Sequence, residues 1–250
     1  MRNWIEIDGR RSMEFGLKMA RLPLWPMAAE TITNIDNTGQ AVEPDRHTGQ
    51  YKDFDLTLTG YLTKPPSQID LARLQSWLSG GKQLVMSTQP ELVGLIRKVG
   101  QIKPSRVGTR ANEIQIPFSF QPFKLSRENY PHDFDCSASE ETSFTILNRG
   151  NVFCEPKFIL TFAAEPTTTE YIEVNGEKLI INPVAASDGD PITVDVQRKK
   201  VYTVDSGVAS VVQRYTSGRF WALVLESGWN TVTVSAGITA VEVTKNERWL

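Results

Sequence analysis

Short alternations of apolar and polar residues, each closed by a turn sequence, dominate the last hundred residues of this 250-residue chain. Apolar side chains recur at every second position in residues 172–174 and 192–194, and Asn175-Gly176 follows the first of these runs. A strand with one buried face has this period, and Asn-Gly favours the backbone of a tight hairpin turn. The pattern predicts a β-sandwich with about eight strands between Pro156 and Thr244.

The first half of the chain also has the period of β-strands. Its longest alternation, residues 112–120, places four apolar side chains on one face: Ile114, Ile116, Phe118 and Phe120. Residues 54–58 alternate in the same way. Residues 92–99 fit a strand, although a short helix is an alternative at this length. We therefore expect a mainly β protein throughout.

One segment of the first half has a helical period instead. Residues 68–78 follow Ser67, a residue type that caps helices, and precede Gly80-Gly81, which would end the helix. Five apolar residues are expected on the side that packs onto the sheet: Ile69, Leu71, Leu74, Trp77 and Leu78. The predicted fold class is thus mainly β with one helix, an α+β arrangement.

Two segments of the first half do not fit regular structure. Pro23 and Pro26 bracket Trp25, which excludes a central strand or a helix interior there. From Asp36 to Gln50 the chain is polar and without periodicity, which predicts a long loop followed by a strand beginning at Tyr51. Loops of this length in compact domains usually carry a function. We expect this loop and the strand after it to contact another subunit or a partner.

A change of composition divides the chain into two predicted domains. Residues 121–145 lose the alternation and become rich in Pro, Ser, Thr and Glu, as is typical of a linker. The boundary is expected near residue 130, which gives domains of residues 1–130 and 131–250. Each has the ordinary size of a domain.

Overall charge and hydropathy exclude several classes of protein. The net charge of −2 gives no support to a protein that coats nucleic acid. No apolar run approaches the roughly 20 residues that span a bilayer, and residues 1–6 lack the apolar core of a signal peptide. Synthesis and folding in a cytosol are therefore expected, and Cys136 and Cys154 are expected to be reduced thiols.

Residues with catalytic or metal-binding chemistry are sparse. His47 and His132 have no neighbours at metal-ligand spacing, and neither a phosphate-binding glycine loop nor a nucleophile elbow occurs in the sequence. Glu170, Glu173 and Asp195 lie on predicted strands and could in principle form a glycosidase pair. Carboxylates on a solvated strand face explain them better, so we expect no enzyme, no cofactor and no metal.

Tryptophans are the remaining candidates for binding. Trp221 lies among apolar neighbours and is expected in the core. Trp229 follows a turn glycine and Trp249 lies next to the last residue, and both core and contact roles stay open for them, because aromatic residues are also favoured in interfaces.

The order of the short motifs along the chain resembles the distal tail protein (Dit) family of phages with long, non-contractile tails. The motifs in the first half are IEIDG at 5–9, FGL at 15–17, PLWP at 23–26, YKD at 51–53, SWL at 76–78, IPF at 116–118 and QPF at 121–123. Those in the second half are NRGN at 148–151, Pro156, VNG at 174–176, ITVD at 192–195, VY at 201–202 and SGWN at 227–230. No single motif is specific, but their order and spacing span nearly the whole chain.

This resemblance implies both an architecture and a role. The first domain would be a β-sandwich with a helix and a hairpin, related to tail-tube proteins, that closes into a homo-hexameric ring. The second would be a galectin-like β-sandwich outside the ring. Such rings are the hub of the tail tip or baseplate, at the distal end of the tail in the virion, and are made in the cytoplasm of the bacterial host. They join the tail tube protein to the tail-associated protein and often anchor a receptor-binding protein, while DNA passes through the ring.

Three functions are therefore weighed, with a structural hub first. A carbohydrate-binding β-sandwich adhesin is the alternative, and a glycan hydrolase is third because no acid pair stands out. The long insertions that carry sugar-binding modules in larger relatives are missing here, which favours a short scaffold. The candidate subunit or partner contacts are Asp36, Gly39, His47, Tyr51, Asp53, Trp229 and Trp249. We expect no membrane partner and no sequence-specific binding of nucleic acid.

Overall fold

The computed structural model describes residues 3–34, 45–107, 111–137, 139–162, 169–182, 190–205 and 208–250. The chain divides into two compact units, Met1–Arg127 with Leu250 and Glu128–Trp249. The described residues are mainly β-strand, with one α-helix. This confirms the predicted fold class. No helix in the described ranges has the length and apolarity needed to span a membrane.

The first unit contains ten strands and the helix in its described part. They are β1 (Ile5–Ile7), β2 (Arg10–Arg11), β3 (Leu17–Met19), β4 (Glu30–Asn34), β5 (Asp45–Tyr51), β6 (Phe54–Leu62), α1 (Gln68–Gly80), β7 (Gln83–Met86), β8 (Gln89–Val99), β9 (Lys103–Val107) and β10 (Ala111–Ser126). The main sheet has the order β2-β1-β7-β8-β10-β6-β3, and β9 also pairs with β10. Strands β4 and β5 form a separate antiparallel pair.

Strand β10 is the centre of the first unit. It pairs with β6 from Asn112 opposite Leu62 to Phe120 opposite Phe54, without a register shift. Its four alternating apolar side chains, Ile114, Ile116, Phe118 and Phe120, are all buried, as the period predicts. Residues 89–99 form a strand, which settles the strand-or-helix alternative in favour of the strand.

The helix begins where its capping residue predicts. The Asp70 backbone N–H donates to Ser67 Oγ at 3.1 Å, and the Ser67 N–H donates to Asp70 Oδ2 at 3.1 Å. This reciprocal pair satisfies two amide groups that the helix itself leaves free. The hydrogen bond with Ser67 lowers the pKa of the Asp70 carboxyl.

The predicted apolar side of α1 is wrong at one position. Leu74, Trp77 and Leu78 are buried, but Ile69 is 66% exposed. At 3.6 residues per turn, Ile69 lies about 140° around the axis from Leu74, so the two cannot share a face. The true buried stripe is confined to the second half of the helix.

The predicted loop and linker are both shorter than expected. Strand β5 begins at Asp45 and ends at Tyr51, so the loop from Asp36 to Gln50 is wrong over its last six residues, and no strand begins at Tyr51. Residues 36–44 lie outside the described ranges. The expected linker, residues 121–145, contains the end of β10, the whole of one strand of the second unit (His132–Asp135) and the start of another (Thr142–Asn148). Residues 132–135 are mostly polar and exposed, so the periodicity argument does not detect this strand.

The second unit is a β-sandwich. Its strands are β11 (His132–Asp135), β12 (Thr142–Asn148), β13 (Lys157–Phe162), β14 (Glu170–Val174), β15 (Glu177–Ile181), β16 (Ile192–Asp195), β17 (Lys200–Asp205), β18 (Val208–Val211), β19 (Thr216–Gly218), β20 (Gly228–Val234), β21 (Ile238–Thr244) and β22 (Arg248–Trp249). One sheet has the order β11-β21-β13-β16-β17-β18 and the other β12-β20-β14-β15-β19. Side chains from both sheets form one apolar core, including Phe158, Leu160, Ile172, Val194, Val232 and Val241.

Hairpin turns form at Asp8-Gly9 and at the predicted Asn175-Gly176 pair. Asp8 and Gly9 have φ of 46° and 82°, and Asn175 and Gly176 have φ of 50° and 91°. Both residues of each pair are left-handed, which matches the twist of the strands that they join. These turns fix the registers of β1 with β2 and of β14 with β15.

Candidate assembly and ligand surfaces

A buried tryptophan anchors the irregular segment of residues 20–29 in the first unit. The Trp25 ring packs edge-on against Phe120, with ring centroids 5.0 Å apart, and against Phe54 at 6.3 Å. Gly94 lies directly under the ring, since a Cβ atom there would be 2.4 Å from Trp25 Cη2. The close approach therefore requires glycine, and it fixes the position of the whole segment.

Hydrogen bonds hold the backbone on both sides of this ring. Gln89 Oε1 accepts from the Trp25 N–H at 2.7 Å, and the Pro23 carbonyl accepts from Thr88 Oγ1 at 3.1 Å. Lys124 Nζ donates to the Pro26 carbonyl at 2.8 Å. Lys124 is fully buried, and this burial lowers the pKa of its ammonium group to about 8. Side chains thus supply donors for two carbonyls of a segment that forms no strand.

The anchored segment displays two apolar side chains to solvent. Leu24 is 67% exposed and Met27 is 74% exposed, on either side of the buried Trp25. Apolar side chains on a rigid backbone lose little entropy when a partner covers them. We call Leu24 and Met27 the apolar pair. The sequence shows that Pro23 and Pro26 flank Trp25. It does not show that Leu24 and Met27 are exposed, because their exposure depends on the long-range contacts of Trp25.

A groove of about 540 Å³ lies beside the C-terminal end of α1. Its lining includes Phe15 and Trp77, whose rings stack with centroids 4.4 Å apart, and the guanidinium groups of Arg10 and Arg73. Arg10 lies over the Phe15 ring at 4.6 Å and also pairs with Glu14 at 3.5 Å. The groove thus combines an aromatic wall with positive charge.

The contact residues predicted in the first unit have separate surroundings. Tyr51 packs edge-on against Phe123 at 5.4 Å. Asp53 pairs with Arg97, with 3.2 Å between Oδ2 and Nε. His47 lies within β5, and its side chain is outside what the structure describes, as are Asp36 and Gly39 entirely.

The two tryptophans of the second unit for which the sequence leaves both core and contact roles open differ in exposure. Trp229 is 72% exposed on β20, whereas Trp249 is half-buried in β22. The prediction for Trp221 is wrong, because this ring is 51% exposed and the neighbouring Phe220 is buried instead. Residues 220–222 form a 3-10 turn rather than a strand, so the alternation that would have buried Trp221 does not apply.

Trp229 belongs to a face rich in hydroxyl groups. In β20, Asn230, Val232 and Val234 point into the sandwich, so Trp229, Thr231 and Thr233 occupy the outer face. In the register of β12 with β20, Leu147 lies opposite Trp229, Thr145 opposite Thr231 and Ser143 opposite Thr233. The hydroxyls of Ser143 and Thr233 are 2.8 Å apart. We call Ser143, Thr145, Trp229, Thr231 and Thr233 the hydroxyl face.

The carboxylates considered for catalysis each have a structural contact. Glu170 is buried and accepts from Ser235 Oγ at 2.6 Å. Glu173 pairs with Lys178 at 3.2 Å, and Asp195 accepts the Arg198 N–H at 2.9 Å in the turn between β16 and β17.

The two cysteines are free thiols. Cys154 is fully buried, and desolvation raises its pKa to about 12, while Cys136 is half-buried and has a raised pKa for the same main reason. Neither has the exposed, electropositive surroundings of a reactive cysteine. Among the described residues, no group of three His, Cys, Asp or Glu side chains is arranged to hold a metal ion.

Comparison with known proteins finds likeness in structure only. No protein-family model and no curated protein matches the sequence. The SPP1 Dit (gp 19.1) protein, described as a paradigm of the hub adsorption apparatus in phages that infect Gram-positive bacteria, matches over 100% of both chains with a TM-score of 0.72 and 12% identity. Chains of the phage P2 baseplate in its activated conformation, with Ca and with Sr, match over 97% of each chain with TM-scores of 0.51 and identities of 7% and 8%. The resemblance inferred from the sequence motifs is thus confirmed at the level of the fold.

Proposed function

We propose that this protein is a structural hub of the tail tip of a long-tailed phage. The observation that carries the proposal is the shared fold with the SPP1 Dit protein over the full length of both chains. A likeness that covers the whole of both chains constrains function more than a likeness to a single common domain. Fold alone does not establish function, so the proposal depends on a direct test of assembly.

In this proposal the first unit forms a hexameric ring and the second is a galectin-like sandwich outside it. The apolar pair supports a role in self-association, because Leu24 and Met27 are exposed on a backbone that Trp25 holds rigidly. A contact between two different patches of one chain produces a closed ring when its rotation closes. Further candidate contacts in the first unit are Asp36, Gly39, His47, Tyr51 and Asp53.

The ring would join the tail tube protein to the tail-associated protein at the distal end of the virion tail. A receptor-binding protein is a further partner at its periphery, and the central opening would let DNA pass without sequence recognition. The protein would be made in the cytoplasm of the bacterial host. These partners follow from the proposed role and from the hub and baseplate assemblies to which the structural neighbours belong.

We propose a role without catalysis. Glu170, Glu173 and Asp195 each take part in a contact that stabilises the second unit, through Ser235, Lys178 and the turn at Arg198. A general acid needs a cleft in which substrate reaches its carboxyl group, and burial of Glu170 among strand residues removes that access.

Electron microscopy of the purified protein tests the proposal. The chain is imaged alone at tens of micromolar and again after mixing with the tail tube and tail-associated proteins of the same phage. Class averages with six-fold symmetry and a central opening are the expected result. Particles of monomer size in both samples would contradict the hub role, whereas rings only in the mixed sample would show that a partner closes the ring.

A further inference from the structure

The hydroxyl face of the second unit combines an exposed indole with Ser and Thr side chains. Trp229 is mostly exposed near the start of β20, and paired hydroxyl side chains extend from it along β20 and β12. Side chains two positions apart on a strand are about 7 Å apart, so Thr231 follows Trp229 at that distance and Thr233 follows Thr231. An aromatic ring is therefore next to a double row of hydroxyl groups.

Charges beside this face are compensated within the sheet. Glu173 lies opposite Thr233 in the register and pairs with Lys178 at 3.2 Å. The Lys178 ammonium also lies 3.7 Å from the centre of the Tyr171 ring, and the Tyr171 hydroxyl donates to Glu141. Glu173 and Lys178 balance each other, and the Glu141 carboxylate leaves these groups with one net negative charge, which disfavours an anionic ligand. A neutral ligand rich in hydroxyl groups therefore complements the face better than an anionic one.

The backbone that carries Trp229 is fixed before any ligand binds. The fully buried Asn230 accepts the Glu226 N–H at 2.7 Å and donates to the carbonyls of Glu226 and Gly228, each at 2.9 Å. Asn175 donates to Asn230 Oδ1 at 2.7 Å and accepts the Thr231 N–H at 3.0 Å. These bonds lock the turn before the strand, which lowers the entropy cost of stacking a ligand on the ring.

We propose that the hydroxyl face binds a neutral glycan. The indole of Trp229 stacks on the apolar C–H side of a pyranose ring, and the hydroxyls of Thr145 and Thr231 exchange hydrogen bonds with the sugar hydroxyls of the next residue in the glycan. Stacking uses the large, flat apolar area of the indole, and the hydroxyls serve as both donors and acceptors, as a sugar requires.

A protein partner fits this face less well. Ser and Thr are under-represented among the residues that dominate protein interfaces. Four of the six outward side chains on this part of β12 and β20 are Ser or Thr, and the other two are Leu147 and Trp229. The apolar pair in the first unit has the opposite character. The two surfaces are thus suited to different classes of ligand.

One stacked ring and a few hydroxyl bonds predict weak binding by a single chain, with a dissociation constant on the order of 1 mM. If the proposed ring forms, several copies of the face engage one polymer, and avidity raises the apparent affinity by about 100-fold or more. Only this gain in affinity rests on the proposed function. The site itself does not.

Titration of the full-length protein with soluble oligosaccharides tests the proposal. The probes are neutral oligosaccharides of glucose, galactose and N-acetylglucosamine, and a sulfated oligosaccharide as the charged comparison. Saturation-transfer NMR and tryptophan fluorescence report binding. We expect at least one neutral probe to bind, Trp229→Ala to weaken it by about tenfold, and Thr231→Val to weaken it by about threefold. Trp221→Ala is the matched control, because it removes another exposed indole of the same unit, and it should change affinity by less than about twofold.

Three results would overturn the proposal. They are no binding of any neutral probe at about 10 mM, equal weakening by Trp221→Ala and Trp229→Ala, and preference for the sulfated probe. The mass of each variant in solution is measured on the same samples. Loss of assembly by Trp229→Ala without sugar binding would assign the face to a protein partner instead, whereas sugar binding by a monomer would support the glycan site even if the ring proposal fails.

Discussion

Lys124 Nζ donates a hydrogen bond of 2.8 Å to the carbonyl of Pro26. The lysine is on the central strand of the first unit, and the proline belongs to the segment that displays the apolar pair. A buried ammonium group costs free energy, so its retention at this position is explained by the carbonyl that it satisfies. The bond joins the core of the unit to the surface that we propose for assembly.

The Lys124 ammonium gives the first unit a pH dependence of known sign. Burial lowers its pKa to about 8, while the unfolded chain keeps the ordinary value of about 10.4. Between these values the unfolded state binds more protons, so stability rises with pH through this window and is flat below it. The free energy of unfolding of wild type minus that of Lys124→Met should increase by up to about 3 kcal/mol from pH 7.5 to pH 10, as measured by urea denaturation. A difference that does not change with pH would show that the lysine is solvated.

Substitution of Gly94 tests the packing of the Trp25 ring against it. In Gly94→Ala the added methyl would lie 2.4 Å from the indole, so the ring must move, at a cost of about 1–3 kcal/mol. Gly80→Ala is the control, since an added Cβ there meets no atom of the described residues within 4 Å apart from its chain neighbours and the backbone of its own helix. Urea denaturation followed by tryptophan fluorescence compares the two. Equal stability of both variants would contradict the packing described for Trp25.

The apolar pair is tested by the double variant Leu24→Ser, Met27→Ser. Both side chains are largely exposed, so the fold should be unchanged while assembly is weakened by about tenfold or more in dissociation constant. Ile69→Ser is the matched control, because Ile69 is a similarly exposed aliphatic residue of the same unit. Sedimentation velocity at several concentrations gives the comparison. Wild-type assembly by the double variant would remove the pair from the interface.

Both cysteines are free thiols, and we expect them to differ in their accessibility to a thiol reagent. With Cys154 fully buried and its pKa raised to about 12, only Cys136 should react with a colorimetric disulfide reagent at pH 8, and slowly. Both should react in denaturant. Native Cys136→Ser should then give no signal, and rapid modification of that variant would show that the core around Cys154 opens readily.

Local patterns predicted those parts of the fold that local physics decides. The buried face of β10, the Ser67 cap and the hairpin at Asn175-Gly176 each depend on residues within a few positions of one another. Trp221 is a case that local patterns do not decide. In a short apolar run the sequence does not show which of two neighbouring rings is buried, and here the 3-10 turn buries Phe220 and exposes Trp221.

The candidate surfaces depend on contacts between residues far apart in the sequence, so local patterns do not predict them. Trp25 is held by Gly94 and Phe120, which are 69 and 95 positions away in the sequence, and Pro26 is held by Lys124, which is 98 positions away. A lysine is usually exposed, so its type alone predicts the opposite of what is found. Trp229 was a candidate from its position after a turn glycine, but the hydroxyl face around it follows from the register of β12 with β20.

Native mass spectrometry of the full-length protein tests the proposed ring most directly. We expect a dominant species of about 168 kDa, six times the 28.0 kDa chain, either for the protein alone or after its tail partners are added. A species of 28.0 kDa that persists at tens of micromolar in the presence of those partners would contradict the ring.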